Sequence, residues 1–401
     1  MAFWVTALRC KEGVSRVLRR YGLPAALIAA AFSLPFVDEA LGTDFLFTAI
    51  VVAVFVLLAL GLNIVVGFAG LLDLGFVAFY ALGAYVCGWL ASTQFRQVSF
   101  SFGSTAKSLT GEPLPGIHIS FWLILIIAAA FTALCGVVIG APTLRLRGDY
   151  LAIVTLGFGE IIPRFFLNGD NLFGFNLTNG TIGIKAIDAP GIPFVPAESW
   201  QRFSQLDLSP WYYTILVLVL ITVFVNVRLQ NSRLGRAWIS VREDETAAAA
   251  MGINPVTTKL WAYALGAVFG GIAGAFYGAF IKNIFPTSFS FSISILILCM
   301  VILGGMGNIY GVILGAVVLQ AINRYLLPKL NDLVHALGDA LGSEALSQAD
   351  IPKYNFLLFG LLLVLVMLLR PEGLIPNRQR AEELHDEDPS TGDAMGGAAR
   401  A

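Results

Sequence analysis

Long apolar runs alternate with short polar segments along almost the whole chain. A membrane-spanning helix needs about 20 consecutive, mostly apolar residues, and ten runs approach that length. They cover residues 22–36, 44–62, 74–91, 119–141, 150–167, 211–228, 260–281, 291–306, 311–327 and 354–370. The pattern predicts an all-α fold, a polytopic transmembrane helical bundle of about ten spans, with both termini on the same side of the membrane.

The polar stretch 228–259 separates the sixth run from the seventh and carries its own helix pattern. Acidic residues come first and small residues follow: Glu243, Asp244, Glu245, Ala247, Ala248, Ala249 and Ala250. Acidic side chains favour the first turn of a helix, alanine has the highest helix propensity, and Gly252 before Pro255 provides a stop. The stretch is therefore predicted to contain a short helix. Its small-residue face can dock into a groove of a partner chain, or the helix can merely connect two spans.

Glycine clusters interrupt the apolar pattern at two places where a regular helix would otherwise continue. The residues concerned are Gly67, Gly70 and Gly75 around Asp73, and Gly304, Gly305 and Gly307 beside Asn308. Each glycine weakens a helix interior by about 1 kcal/mol relative to alanine, so the clusters predict broken or re-entrant helical segments. Irregular backbone persists at membrane depth only where it is buried or lines a cavity.

The broken segments are candidates for a translocation pathway, because exposed backbone groups at helix breaks can bind the charged groups of a substrate. The alternative is that the glycines only pack helices together. Two polar residues in apolar runs, Asn63 and Glu160, join the pathway candidates. Glu160 also lies four residues before Arg164, which allows a purely structural ion pair.

A different glycine pattern occurs in the run 260–281, where glycines recur at every fourth position. These are Gly266, Gly270, Gly274 and Gly278. At this spacing they share one helix face, and small residues on a face let membrane helices touch backbone to backbone. The ladder predicts close helix packing.

Composition agrees with a membrane protein and offers no catalytic chemistry. The chain is 57% hydrophobic and only 13% charged, whereas soluble proteins average about 25% charged residues. Net charge is −1, which gives no indication of nucleic-acid binding. The cysteines and histidines are scattered and form no metal-binding or nucleophilic motif. The sequence predicts no enzyme, no metal and no cofactor bound by this chain, so any ATP must be hydrolysed by another protein.

Basic residues indicate the orientation, because cytoplasmic loops of membrane proteins are enriched in arginine and lysine. Most arginines fall before residue 21, between 145 and 147, within 228–242 and after 370. The prediction is a cytoplasmic N-terminal segment (1–21), a transmembrane domain (22–370) with the cytoplasmic loop 228–259, and a disordered cytoplasmic tail (371–401).

Four blocks of the sequence resemble the inner-membrane permeases of bacterial branched-chain amino acid ABC importers. They are GLNIVVGFAGLLDLGFVAFYALGAY (61–85), LRLRGDYLAIVTLGFGEIIPR (144–164), SRLGRAWISVREDETAAAAMGIN (232–254) and ILGGMGNIYGVILGA (302–316). The second block resembles the LivM-type subunit in particular, and RPEGLIP (370–376) fits as well. The resemblance extends from about residue 45 to residue 376.

The resemblance implies a bacterial inner-membrane permease subunit that works with a LivH-type second permease, two cytoplasmic ATPases and an extracytoplasmic substrate-binding protein. The permease motif for ATPase coupling corresponds to Glu245, Ala247, Ala248 and Gly252, although Thr246 departs from its strict spacing. The neighbouring Arg242, Glu243 and Asp244 complete the candidate coupling residues. The implied substrates are leucine, isoleucine and valine. Urea, short amides and other amino acids are alternatives, and an ion-coupled secondary transporter is the rival class.

Overall fold

The structure, a computed structural model, describes residues 29–40, 45–103, 115–144, 146, 148–172, 174–191, 203, 207–341, 351–370 and 373–375. The predicted N-terminal segment 1–21, Arg145, Arg147 and the tail beyond residue 375 lie outside this range.

Helices dominate the described part of the chain. They are α1 (29–40), α2 (Phe45–Asn63), α3 (Val77–Leu90), α4 (Phe121–Thr143), α5 (Asp149–Leu167), α6 (Ser209–Gln230), α7 (Arg233–Glu243), α8 (Glu245–Ala250), α9 (Pro255–Ile281), α10 (Phe291–Gly304), α11 (Ile309–Ala321), α12 (Leu327–Leu341) and α13 (Asn355–Leu369). Wider π-helical turns extend α2 over Ile64–Phe68 and join α11 to α12 over Ile322–Leu326. Short 3₁₀ turns occur at Gly169–Asn171, Gly180–Ile182, Pro286–Phe289 and Ile351–Tyr354.

The prediction of a polytopic helical membrane protein is confirmed. In the described residues, 7 helical segments are long and apolar enough to cross a membrane, and Val77–Leu90 and Leu357–Leu369 are shorter apolar helices. These nine correspond to nine of the ten predicted spans. The first predicted span, 22–36, is described only from residue 29, where α1 begins. Helix α3 is short because the chain remains irregular from Ala69 to Phe76, across the first glycine cluster.

Helix α9 lies at the centre of the bundle, in contact with α2, α3 and α4. The glycine ladder lies on the contacts with α2 and α3. A Cβ atom at Gly274 would lie 2.0 Å from the carbonyl oxygen of Tyr80, and one at Gly266 would lie 2.5 Å from Val65 Cγ2. Gly270 and Gly278 pack on α3 in the same way, against Phe79 and the Ala84 carbonyl. The absence of side chains lets the backbones of α9 and α3 come into direct contact.

A second close contact joins α10 to α11 around the other glycine cluster. A Cβ at Gly304 would lie 2.3 Å from the carbonyl oxygen of Gly311, and one at Gly315 would lie 2.3 Å from that of Met300. Residues 373–375, which the sequence places in the tail, pack against this contact. The N–H groups of Leu374 and Ile375 donate to the carbonyls of Leu303 (2.9 Å) and Gly304 (3.2 Å). These residues therefore belong to the folded domain, because they satisfy carbonyls at the end of α10.

Two small sheets, absent from the apolar pattern, connect the loops at the opposite end of the bundle. The strands are β1 (Ala91–Ser92), β2 (Ser99–Phe102), β3 (Gly116–Ile119), β4 (Ile184–Lys185) and β5 (Asn283–Ile284). In the first sheet β3 lies between β1 and β2, antiparallel to β1 and parallel to β2, and in the second β4 pairs antiparallel with β5. His118 on β3 is buried, and its Nδ1 lies 2.6 Å from Asp188 Oδ2, which ties two of the loops together.

Candidate functional site

The polar stretch 228–259 contains two consecutive helices, α7 and α8. Asp244 separates them and caps α8, since its carboxylate accepts hydrogen bonds from Thr246 N (2.8 Å) and Ala247 N (3.0 Å). After α8, Gly252 has φ +86°. The N–H groups of Gly252 and Ile253 donate to the carbonyls of Ala249 and Ala248. This is the Schellman arrangement, which requires a left-handed residue that glycine adopts without strain.

Trp238 and Glu245 attach this segment to the bundle. Trp238 of α7 is fully buried, its ring is stacked on Phe68 at a centroid distance of 6.5 Å, and its Nε1 donates to the carbonyl of Thr258 (2.8 Å). In α8, Glu245 Oε2 accepts from Lys259 Nζ at 2.8 Å, with the lysine side chain 9% exposed. The segment therefore contacts both the end of α2 and the beginning of α9.

Arg242 connects the segment directly to the first helix break. Its Nη1 donates to the carbonyl of Gly67 (2.9 Å), inside the π-helical turn that ends α2. Its aliphatic stem covers Gly70, where the φ is +68° and a Cβ would lie 2.6 Å from Arg242 Cγ. Glycine at position 70 thus meets two requirements, a left-handed backbone and space for the arginine stem.

Asn63 joins the first break to the second. This residue is fully buried, and its Oδ1 accepts a hydrogen bond from Gly307 N at 2.9 Å. Gly67 leaves room for the amide, because a Cβ there would lie 2.1 Å from Asn63 Oδ1 and 2.6 Å from Gly307 N. We call Asn63, Gly67, Gly70, Arg242 and Gly307 the Arg242 cluster. It brings candidate coupling and candidate pathway residues into one set of contacts.

The remaining pathway candidates of the two breaks lie around this cluster. Asp73 is 1% exposed, and its Oδ1 accepts from Gly75 N at 2.8 Å. Asn308 caps α11 by accepting from Tyr310 N (3.1 Å), and its Nδ2 donates to the carbonyl of Ile375 (3.2 Å). Gly305 allows the turn that follows α10, with φ +109°.

Glu160 lies apart from this group. Its side chain is 44% exposed, and Oε2 lies 3.5 Å from Nε of Arg164, which is 76% exposed. The pair has the i, i+4 geometry of a surface ion pair on one helix.

A cavity of about 300 Å³ opens beside the Arg242 cluster. Its walls come from the first break, from the α4–α5 connection and from the stretch 228–259: Gly70, Leu72, Gly148, Leu151, Arg242 and Lys259. Movement of this stretch would therefore change the shape of the cavity.

The exposed surface of α8 differs from the simple alanine face that the sequence indicates. Ala248 is 4% exposed and packs within the chain, whereas Ala247, Ala249 and Ala250 are exposed. Glu243, Asp244 and Gly252 also lie at the surface, and Met251 is 84% exposed. Trp238 and Met251 were missed by the sequence reasoning. The spacing of Trp238 and Val241, three positions apart as on one helix face, is the pattern that indicates the buried side of α7.

The comparisons with known proteins all indicate the same family. The family model described as the branched-chain amino acid transport system / permease component matches residues 45–367. The high-affinity branched-chain amino acid transport system permease protein LivM of Salmonella typhimurium is 36% identical over 366 residues, which covers 88% of this chain and 74% of the relative. The probable branched-chain amino acid transport permease protein LivM of Methanocaldococcus jannaschii is 27% identical over 344 residues, 80% of this chain and 90% of the relative.

The permease protein LivH of Escherichia coli is similar at a lower level, with 23% identity over 326 residues, 80% of this chain and 91% of the relative. No solved structure matches the chain. The family match extends from the beginning of α2 into α13, and so includes both helix breaks and the helices α7 and α8. The chain belongs to the family of branched-chain amino acid transport permeases, as a LivM-type member.

Proposed function

We propose that this permease is the LivM-type subunit of an ATP-driven importer for leucine, isoleucine and valine. It would pair with a LivH-type permease, receive substrate from an extracytoplasmic binding protein and depend on two cytoplasmic ATPases for energy. The names of its relatives support the substrate class. The similarity to LivH supports a paired permease of related sequence.

The observation that carries the ATP-driven mechanism is the attachment of the α7–α8 segment to the first helix break. Exposed small residues and Met251 face outward from this segment, while Trp238 and Arg242 hold its inner side on Phe68 and Gly67. A partner that moves α8 would therefore move the break. An ion-coupled transporter does not need a helix that docks on an ATPase. Glu160, one of the few residues that could couple transport to an ion, lies at the surface of the chain in an ion pair with Arg164.

The test replaces Ala250, an exposed residue of α8, with arginine in the complete importer reconstituted in liposomes. A long charged side chain prevents close docking, so we expect normal membrane insertion but at least about a tenfold loss of ATPase association and of ATP-dependent leucine uptake. A tenfold loss of association corresponds to about 1.4 kcal/mol.

Ala250→Ser is the matched control, since serine keeps the side chain small. Full uptake by Ala250→Arg would show that α8 only connects two spans. Uptake of urea or a short amide in preference to the three amino acids would retain the importer class and change its substrate.

We also propose that the protein is a multi-pass component of the bacterial inner membrane, with residues 228–259 and both termini in the cytoplasm. The distribution of arginines supports this orientation. A single cysteine at position 240 should react with a membrane-impermeant reagent only after the cells are opened. Reaction in intact cells would invert the proposed topology.

A further inference from the structure

A second cavity, of about 250 Å³, lies at the end of the bundle opposite the Arg242 cluster. Helices α2, α3, α9, α10, α11 and α13 all contribute to its wall. Pockets for drug-sized ligands commonly measure about 300–1,000 Å³. This cavity is slightly below that range, which suits a smaller ligand such as a single amino acid. We call it the Arg324 cavity.

Unpaired polar groups converge on the Arg324 cavity. Gln320 and Tyr80 line it, each is only 2% exposed, and neither side chain makes a hydrogen bond to another described residue. Asn323 and Ser292 line the same space, also without a side-chain hydrogen bond to the described part of the chain.

Arg324 gives the cavity a positive charge. Within the described residues the guanidinium makes no ion pair, and its contact is with the ring of Phe47, 5.8 Å from the centroid. Among the described residues that line the cavity there is neither aspartate nor glutamate. Arginine binds carboxylates through two parallel hydrogen bonds, which a point charge such as lysine cannot reproduce.

Local helix geometry explains how these groups share one space. Gln320 and Arg324 are four residues apart and so lie on the same face of a helix. The π-helical turn Ile322–Leu326 widens the backbone there, and Asn323 reaches the cavity as well. Turns of this kind occur often at functional sites.

The rest of the wall is apolar. Phe55 of α2, Leu296 of α10 and Phe359 of α13 form part of it. The cavity therefore combines one cationic group, several neutral polar groups and an aliphatic–aromatic surface. An α-amino acid with an aliphatic side chain presents the complementary set of groups: a carboxylate, an ammonium that donates hydrogen bonds to neutral oxygens, and an apolar chain.

We propose that the Arg324 cavity is a binding subsite for the transported amino acid, in which Arg324 pairs with the substrate carboxylate. Gln320 and Tyr80 bind its polar groups, and the side chain lies against Phe55 and Leu296. This inference rests on the proposed import of aliphatic amino acids. It names the residues of this chain that would bind the substrate.

The test uses the assembled importer in detergent, with Cys10, Cys87, Cys135 and Cys299 replaced by alanine and one reporter, Ser292→Cys, at the cavity. Modification by N-ethylmaleimide is timed with leucine or with leucinol, in which a hydroxymethyl group replaces the carboxylate. Leucine should slow modification, and leucinol should not. In Arg324→Gln the concentration of leucine that halves the rate should rise at least about tenfold, which corresponds to about 1.4 kcal/mol.

Arg228→Gln is the matched control, because Arg228 also lies over a phenylalanine ring, 5.4 Å from the centroid of Phe224, but does not line the cavity. It should leave protection unchanged. Ser288→Cys, at the same cavity, serves as reporter if Ser292→Cys does not assemble.

Equal protection by leucine and leucinol, or unchanged protection in Arg324→Gln, would overturn the subsite. Protection by short-chain phosphatidylglycerol but not by leucine would assign the arginine to a lipid headgroup instead. ATP-dependent uptake is measured on the same preparations. Uptake of leucine without leucine protection rejects the subsite alone, whereas failure of the unmodified importer to take up any of the three amino acids rejects the proposed function.

Discussion

Helix α2 carries an arginine contact at each end, about 30 Å apart at 1.5 Å per residue. Near its beginning Arg324 lies over Phe47, and in the π turn at its end Arg242 donates to the Gly67 carbonyl. At the Arg242 end, the polar candidates Asn63, Asp73 and Asn308 each make a hydrogen bond to backbone within the chain, while Asn63 Nδ2 is buried without a partner among the described residues. At the Arg324 end, polar side chains instead face a cavity. This difference matches the two proposals made above, in which the Arg242 end transmits movement and the Arg324 end binds substrate.

This comparison changes the interpretation of the glycine clusters. The sequence suggested that the breaks themselves line a pathway, yet in this structure Gly67 and Gly307 pack against Asn63 in a buried contact. Their place in the pathway stays a prediction, and solvent access to cysteines at positions 72 and 306, with and without ATP, would test it.

The largest expected effect comes from separating α9 from α3, two helices that run between the Arg242 end and the Arg324 end of the bundle. In Gly274→Leu the new side chain would overlap the Tyr80 carbonyl, where a Cβ alone would lie only 2.0 Å away. Overpacking of this severity costs about 3 kcal/mol, the upper end of the usual range, so the yield of folded protein should fall sharply.

Gly360→Leu on α13 is the control, since no atom of the described residues lies within 4 Å of a Cβ at that position. The measurement is the amount and thermal midpoint of purified protein. A Gly274→Leu protein with normal yield and uptake would mean that α9 and α3 are not held by this contact.

An intermediate effect on thermal stability should distinguish Asn63, at the Arg242 end, from Asn323, at the Arg324 end. Asn63→Ala leaves the buried Gly307 N–H without its acceptor, at a cost of about 1–3 kcal/mol, and should lower the thermal midpoint. Asn323→Ala removes an amide that makes no hydrogen bond within the described residues, and should change the midpoint little. Equal midpoints for the two variants would remove the distinction between an asparagine that accepts a buried backbone hydrogen bond and one that faces a cavity.

The smallest effect should come from alanine substitutions at two glycines that have nearly the same backbone conformation. Gly70 has φ +68° and Gly103 has φ +63°, so alanine at either site bears a similar cost of about 1–2 kcal/mol. Only at Gly70 would the new Cβ meet Arg242, at 2.6 Å, whereas at Gly103 the nearest atom is 3.4 Å away.

Gly70→Ala should therefore displace the arginine and weaken the link between ATP hydrolysis and uptake, while Gly103→Ala should not. The ratio of leucine transported to ATP hydrolysed measures this link. Identical ratios in the two variants would show that the contact between Arg242 and the break does not transmit movement.

Sequence alone determined the features that depend on neighbouring residues. Apolar length predicts the helices, the Gly252–Pro255 pattern predicts the end of α8, and glycine clusters predict the breaks after α2 and α10. These outcomes follow from local propensity and from the need of a membrane helix for a continuous apolar run. The resemblance to the permeases and the match to the family model also depend only on the order of residues along the chain.

Tertiary structure decided which residues meet. Asn63 and Gly307 are separated by 244 positions yet share a hydrogen bond, and no local pattern specifies that pairing. The burial of Ala248 among exposed alanines, the packing of residues 373–375 on α10 and the convergence of Gln320, Arg324 and Tyr80 on one cavity have the same origin. Each depends on how helix faces pack across the bundle, because periodicity identifies a face but does not name its partner.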